Sequence, residues 1–130
     1  MWCHHTVMAD ENQLAAIQAL TDGKGAEAVI DFVGEGNSIA NGLAMTRDNG
    51  AYYIVGYGGE IRISALDMIT TERRIIGNLV GNYAELVELM ELANRGKVHL
   101  ATKQYRLNDA NQALHDLNQA KIKGRAVLVP

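Results

Sequence analysis

The sequence has little of what marks secreted, membrane or nucleic-acid-binding proteins. Cys3 is its one cysteine, so no disulfide can staple the fold, and we expect a reduced, intracellular protein. No run of about 18 apolar residues occurs, and Met1 to Asp10 lacks the features of a signal peptide. With 12 basic against 15 acidic residues, the chain carries no cationic surplus that would attract nucleic acid. We therefore expect a cytoplasmic globular domain without a nucleic-acid or membrane partner.

Several motifs of nucleotide and nucleophilic sites are also missing or incomplete. Gly23-Lys24-Gly25 and Gly34-Glu35-Gly36 stop before the third glycine of a dinucleotide fingerprint. Neither a phosphate-binding glycine-rich loop followed by Lys-Ser/Thr nor Gly-x-Ser-x-Gly is present. Cys3, His4 and His5 are of types that bind zinc, but adjacent residues cannot readily all reach one ion. We interpret this start as an atypical N-terminal segment.

Hydrophobic periodicity predicts alternating strands and helices punctuated by glycine. Apolar runs without alternation are typical of parallel strands covered on both faces, joined by helical crossovers. The fold class predicted is therefore α/β with parallel strands. The predicted strands are 26–33, 51–57, 61–63, 73–80, 103–107 and 125–129, and the predicted helices are 10–22, 37–47, 66–71, 83–95 and 108–120, with a turn at 48–50.

Three predicted strands end in glycine-containing segments: Phe32-Val33-Gly34, Val55-Gly56-Tyr57 and Asn78-Leu79-Val80-Gly81. In parallel α/β sheets, ligands bind outside the carboxyl ends of the strands, where backbone must approach closely. The alternative is that these glycines only turn the chain. Asp31 is the one acid in an apolar setting; either it has a raised pKa and a catalytic role, or it pairs with a backbone donor or a lysine, which we favour.

Five segments in order resemble the zinc-type alcohol dehydrogenases of the medium-chain dehydrogenase/reductase family. They are 20–26, 28–34, 51–59, 76–81 and 121–130. The resemblance covers only the C-terminal part of such an enzyme and implies a partial Rossmann-like sheet of about three strands plus a C-terminal strand-helix-strand. It divides the chain into an atypical segment 1–11, half of a dinucleotide-binding domain at 12–100, and a segment 101–130 that returns to the catalytic domain in the family.

The resemblance implies an NAD or NADP site and alcohol oxidation or carbonyl reduction as the family reaction. By resemblance, Phe32, Val33 and Gly34 line the adenosine and ribose side, and Val55, Gly56 and Tyr57 lie near the nicotinamide ribose. Asn78, Leu79 and Val80 lie near the nicotinamide amide, and Arg125 approaches the pyrophosphate. The family's zinc ligands have no counterpart here, so we expect no zinc, no catalytic residue and no activity of the chain alone. The alternatives are a stand-alone nucleotide-binding or oligomerisation module, or one half of a split dehydrogenase.

The resemblance also implies an open sheet edge. Strand 26–33 pairs in the family with a strand of the half that this chain does not match, and an apolar edge invites association. We expect a homodimer through this strand, completing a six-stranded sheet about an axis along the strands. A second possible edge is 61–64, and a separate chain carrying the other half is a further possible partner.

Overall fold

The computed structural model describes residues 3–130 and divides them into two compact units. The first unit ends at Gly81, and the second runs from Asn82 to Pro130. Residues 1 and 2 of the predicted atypical segment lie outside the described residues, and residues 3–11 form neither helix nor strand. No helix of the described residues is long and apolar enough to cross a membrane. The domain division at residue 100, which follows from the family resemblance, stays a prediction.

The first unit is a three-stranded parallel sheet with helical connections. Its strands lie in the order β1-β2-β3, and every pair is parallel, which confirms the predicted α/β class. The elements are α1 (Gln13–Leu20), β1 (Ala26–Asp31), α2 (Ser38–Met45), β2 (Thr46–Ile54), α3 (Ala65–Thr71) and β3 (Arg74–Gly77).

The second unit begins with α4 (Tyr83–Asn94), whose start is a capping box between Asn82 and Glu85. Each side chain accepts from the other residue's backbone N–H, which satisfies two donors that the first turn leaves free. A two-stranded parallel sheet follows, confirming the predicted strand-helix-strand. Its elements are β4 (Thr102–Arg106), a 3-10 turn (Leu107–Asp109), α5 (Ala110–Asn118) and β5 (Arg125–Val129).

The core of the first unit lies between α2 and one face of the sheet. Ile39 and Leu43 of α2 pack against Tyr52 in the central strand, and all three are buried. Gly42 leaves room for the tyrosine ring, because a Cβ there would overlap it. The opposite face is open at β1, where Ile30 is 57% exposed. The expectation that all strands are covered on both faces is therefore wrong for β1, since an apolar run records suitability for burial and not the presence of a covering element.

Two predicted boundaries differ from the structure for identifiable reasons. The predicted turn at 48–50 lies inside β2, which begins at Thr46 and bulges against β1, so that Ala26 and Ala28 pair with Thr46 and Ala51. Asn49 takes φ 60° there, a conformation that asparagine tolerates in turns and bulges alike. The predicted strand at 61–63 is wrong, because no strand forms at 61–64. Association through this segment stays a prediction.

Candidate functional site

The carboxyl ends of the three parallel strands lie side by side and are joined by backbone hydrogen bonds. The carbonyl of Asp31 accepts from the N–H groups of Val55 (2.9 Å) and Gly56 (3.0 Å). Further along the edge, the N–H of Asn78 donates to the carbonyl of Ile54 at 2.8 Å. The three segments that the sequence singled out therefore follow adjacent strand ends, in the order in which they occur in the chain.

Two glycines allow the first two strand ends to cross in close contact. A Cβ on Gly34 would overlap the backbone of Gly56, and a Cβ on Gly56 would overlap the carbonyl group of Val33. Gly34 also has φ +63°, which favours glycine. Chain geometry alone thus requires both residues, so the glycines by themselves give no evidence of a ligand. Evidence for a ligand site has to come from the side chains exposed around this crossing.

The carboxylate of Asp31 stabilises this crossing through hydrogen bonds. It accepts from the N–H groups of Val33 (2.8 Å) and Gly34 (2.9 Å), from the Ser38 hydroxyl (2.9 Å) and from the Tyr52 hydroxyl (2.6 Å). Burial raises the pKa of Asp31, but the four donors outweigh it, so the pKa lies below its ordinary value. Burial and the bond to Asp31 raise the pKa of Tyr52.

Asp31 is therefore an ionised, fully engaged carboxylate that orders the loop between β1 and α2. The alternative of a raised pKa is wrong, and the pairing with backbone donors is confirmed, although no lysine takes part. Sequence reasoning missed Ser38 and Tyr52 as its partners. No local pattern in the sequence marks the contact with Tyr52, because it depends on the strand register, which places Asp31 and Tyr52 on the sheet face where α2 packs.

The side chains above the strand ends form an exposed apolar rim. Phe32 and Val33 follow β1, Tyr57 follows β2, and Leu79 and Val80 follow β3; all five are well over half exposed. Exposed apolar side chains next to backbone groups suit contact with the faces of aromatic and ribose rings.

Two other predicted residues at the site have more specific positions. The side-chain amide of Asn78 donates to the carbonyls of Ile76 (3.1 Å) and Ile54 (3.3 Å), so it ties the ends of β2 and β3 together. Arg125 belongs to the second unit, where it begins β5 and its N–H donates to Ala101. The structure therefore brings the predicted residues of the first three strands to one edge, while Arg125 lies in the other unit.

A cavity of about 460 Å³ lies between the loops that follow β1 and β2 and the start of α2. Asn37 and Ile39 line it on the side of α2, and Glu60 and Arg62 line it on the other side. The guanidinium of Arg62 is held by Glu60 at 2.7 Å. Among residues 3–130, no three histidine, cysteine, aspartate or glutamate side chains are grouped closely enough to hold a metal ion.

The second unit contains a partly buried polar cluster, which sequence reasoning did not anticipate. Asp116 of α5 accepts from the Tyr105 hydroxyl (2.8 Å), the Gln112 amide (2.8 Å) and the Lys103 ammonium (3.1 Å). These donors, the Tyr105 hydroxyl foremost, lower the pKa of Asp116 to about 2. Because Lys103 and Tyr105 lie on β4, the cluster ties α5 to the two-stranded sheet.

Comparison with known proteins agrees with the resemblance seen in the sequence. Residues 3–95 match the model of the zinc-binding dehydrogenase family. The chain is 35% identical over 124 residues to an NAD-dependent alcohol dehydrogenase of Sulfurisphaera tokodaii, covering 94% of this chain and 36% of that protein. A similar enzyme of Sulfolobus acidocaldarius is 36% identical over 126 residues, covering 95% and 36%.

The fold agrees with a solved structure as well. The alcohol dehydrogenase of Aeropyrum pernix superposes with a TM-score of 0.87 at 37% identity, covering 97% of this chain and 37% of that one. The chain thus spans about a third of the length of the relatives it matches and corresponds to their C-terminal part. It belongs to the zinc-binding dehydrogenase family of medium-chain alcohol dehydrogenases.

Proposed function

We propose that the first unit provides one half of an NAD(P) site for an alcohol dehydrogenase reaction that this chain does not carry out alone. The observation that supports it most directly is the exposed apolar rim, set on the carboxyl ends of three adjacent parallel strands. Relatives that match over nearly the whole chain are NAD-dependent alcohol dehydrogenases, and one more distant relative is a D-arabinose 1-dehydrogenase that uses NADP. We propose NAD or NADP as the cofactor. We also propose a cytoplasmic location.

Within this half-site, we assign the strand ends to successive parts of the dinucleotide. Phe32, Val33 and Gly34 contact adenosine and its ribose, and Val55, Gly56 and Tyr57 lie at the nicotinamide ribose. Asn78, Leu79 and Val80 lie at the nicotinamide amide. Arg125 lies in the second unit, outside this half-site, and its contact with the pyrophosphate stays an expectation from the family resemblance.

Hydride transfer needs the cofactor to be positioned and the alcohol oxygen to be activated. The described residues offer positioning, through the ordered loop at Asp31 and the rim above it. The donor set for a zinc ion that would polarise the oxygen is not grouped among residues 3–130. We therefore propose that the groups for oxygen activation come from a part of the enzyme that this chain does not match.

The proposal is tested by titrating the chain with NADH and following nicotinamide fluorescence and heat. Leu79→Asp places a negative charge at the nicotinamide end, on a side chain that is 91% exposed, so folding is spared. We expect it to weaken NADH binding at least tenfold and to leave AMP binding unchanged. Phe32→Asp should weaken both ligands. Leu66→Asp, on the exposed side of α3, is the matched control and should bind NADH like the unchanged chain.

Absence of NADH binding at millimolar concentration would overturn the proposed half-site. Equal losses in Leu79→Asp and Leu66→Asp would also contradict it, because the effect would then not depend on position. A second candidate function, one half of a split dehydrogenase, is favoured by the fact that the chain covers about 36% of its relatives. It predicts alcohol-dependent NADH formation only when a separate polypeptide carrying the remaining segment of a relative is added.

A further inference from the structure

The chain contains two Asn-Gly pairs, and the fold places them in opposite surroundings. One is Asn41-Gly42 and the other is Asn49-Gly50. The peptide nitrogen that follows an asparagine can attack the side-chain amide carbon, and a following glycine hinders this attack least because it has no Cβ. Since the two pairs have the same local chemistry, a difference in their reactivity has to come from the fold.

Asn41-Gly42 is held in the interior of α2. Inside a helix each N–H donates to the carbonyl four residues earlier, so the Gly42 nitrogen cannot turn toward the Asn41 side chain unless the helix opens. Gly42 is also buried, and a Cβ there would overlap the ring of Tyr52. We therefore expect the folded chain to protect Asn41.

Asn49-Gly50 lies in the bulge of β2. Between two successive register positions of the ladder, β1 has one residue, Glu27, whereas β2 has four, 47–50. These four residues therefore cannot all be paired with β1. Asn49 is exposed, and its φ of 60° lies outside the helical and extended regions. The Asn49 amide is open to water, and no helix has to break for it to react.

A cation lies next to the peptide group that would react. The Nη2 atom of Arg74 is 3.4 Å from the main-chain oxygen of Asn49. When the Gly50 nitrogen loses its proton, negative charge spreads onto this same oxygen, because both atoms belong to one conjugated peptide group. The guanidinium of Arg74 therefore favours the deprotonated form, although solvent screens the effect of an exposed arginine.

We propose that Asn49 is a site of spontaneous conversion to aspartate and isoaspartate, with water as the co-reactant. Hydroxide takes the proton of the Gly50 nitrogen, and the nitrogen forms a bond to Cγ of Asn49. The bond from Cγ to Nδ2 then breaks, and ammonia leaves with a proton from water. A further water molecule opens the resulting cyclic imide. Opening at Cγ gives aspartate, and opening at the main-chain carbonyl carbon gives isoaspartate; nothing is oxidised or reduced.

The bulge can also accommodate the products. Isoaspartate lengthens the main chain by one carbon atom, and it does so where the ladder between β1 and β2 is already interrupted. The new carboxylate lies next to Asp48, but Arg73 pairs with Asp48 at 3.2 Å, and Arg74 contacts the main chain of residue 49. We therefore expect the converted chain to stay folded, as should the variant Asn49→Asp.

Peptide mapping by mass spectrometry tests the site, after incubation of the full chain at mildly alkaline pH. Trypsin cleaves after Arg47 and so separates the two Asn-Gly pairs. In the folded chain, the amide of Asn49 should become an acid at least ten times faster than that of Asn41, and in guanidinium chloride the two rates should be similar. Equal rates in the folded chain, or an Asn49 that reacts in guanidinium chloride and not in the folded chain, would overturn the proposal. An isoaspartate-specific methyltransferase should label the incubated chain but not fresh Asn49→Asp.

Variants of Arg74 test the part played by the cation. Arg74→Gln should slow the conversion of Asn49 by roughly two- to fivefold, because exposed charge interactions are weak, and Arg74→Lys should retain most of the rate. Arg95→Gln, at an exposed arginine of the second unit, is the matched control and should convert like the unchanged chain. Conversion of Asn49 at an unchanged rate in Arg74→Gln, or equal slowing in Arg74→Gln and Arg95→Gln, would overturn the role assigned to Arg74.

Discussion

Replacing Asp31 should destabilise the first unit more than any other single change at a polar residue. The side chain is only 8% exposed, and its carboxylate accepts four hydrogen bonds. Asp31→Ala leaves the hydroxyl of Tyr52, a fully buried residue, without its partner, and frees two N–H groups in the turn after β1. The loop at the strand ends would then lose the contacts that order it.

The magnitude follows from these contacts. A buried donor left without a partner costs about 1–3 kcal/mol, and the Tyr52 hydroxyl meets that condition fully. The turn N–H groups and Ser38 can reach water, so together they add roughly 1–2 kcal/mol. We expect Asp31→Ala to lower the free energy of unfolding by about 2–5 kcal/mol, and Tyr52→Phe, which leaves the carboxylate with three donors, by about 1.5–2 kcal/mol. Natural domains have about 5–15 kcal/mol in total, so the first loss is large.

Urea unfolding at neutral pH, with hydrogen exchange at the amides of Val33 and Gly34, measures both effects. The amides should exchange faster in Asp31→Ala while the second unit keeps its protection. Asp31→Asn, which keeps the shape and loses the charge, should fall between the unchanged chain and Asp31→Ala. A loss below about 1 kcal/mol in Asp31→Ala, or equal losses in Asp31→Ala and Tyr52→Phe, would refute the reasoning.

Three further predictions concern pH and steric fit. Since the folded pKa of Asp31 is lowered and that of Tyr52 is raised, their contribution to stability should be lost as pH falls below roughly 4 and as it rises above roughly 10. Tyr52→Phe should abolish the alkaline loss in urea titrations across pH and should also reduce the acid loss, because the Tyr52 hydroxyl is the foremost donor that lowers the pKa of Asp31; a persisting alkaline loss would contradict the assignment. Gly56→Ala should destabilise by about 2 kcal/mol or more, because its Cβ meets the Val33 backbone, whereas Gly77→Ala, with open space around it, should stay within about 1 kcal/mol; equal thermal shifts would contradict this. The Asp116 carboxyl should titrate in NMR near its pKa of about 2 and move toward its ordinary value in Tyr105→Phe; an ordinary value in the unchanged chain would disprove the cluster.

The order of strands and helices could be predicted because each element is marked by a pattern among neighbouring residues. Glycine stops and apolar runs mark β1 and β2, and the Asn82–Glu85 pattern marks the start of α4. The strand predicted at 61–63 was wrong. Alternating apolar and polar residues show which side chains suit a strand, but not whether a neighbouring strand is present to pair with it. The turn predicted at 48–50 was wrong because residues typical of turns also occur at a bulge within a strand, as at Asn49.

The sequence predicted where the candidate site lies, but not the side-chain contacts that order it. Parallel topology puts the strand ends together, so the sequence suffices to group the segments after β1, β2 and β3. The Asp31–Tyr52 contact spans 21 residues and depends on the strand register and on Gly42 leaving space for the ring, neither of which is a local pattern. The same holds for Asp116, whose partners lie on a strand that precedes it.

The small core means that a ligand on the rim should be visible in the stability of the first unit. In that unit, Ile39, Leu43, Ala51 and Tyr52 are the buried apolar residues among those described, while the rim stays exposed. A ligand that binds only the folded state raises stability, and at a hundred times its dissociation constant it adds about 2.7 kcal/mol. NADH should therefore raise the melting temperature of the unchanged chain and of Leu66→Asp, and Leu79→Asp should cancel the rise. A rise that persists in Leu79→Asp, or that both variants cancel, would contradict binding at the rim.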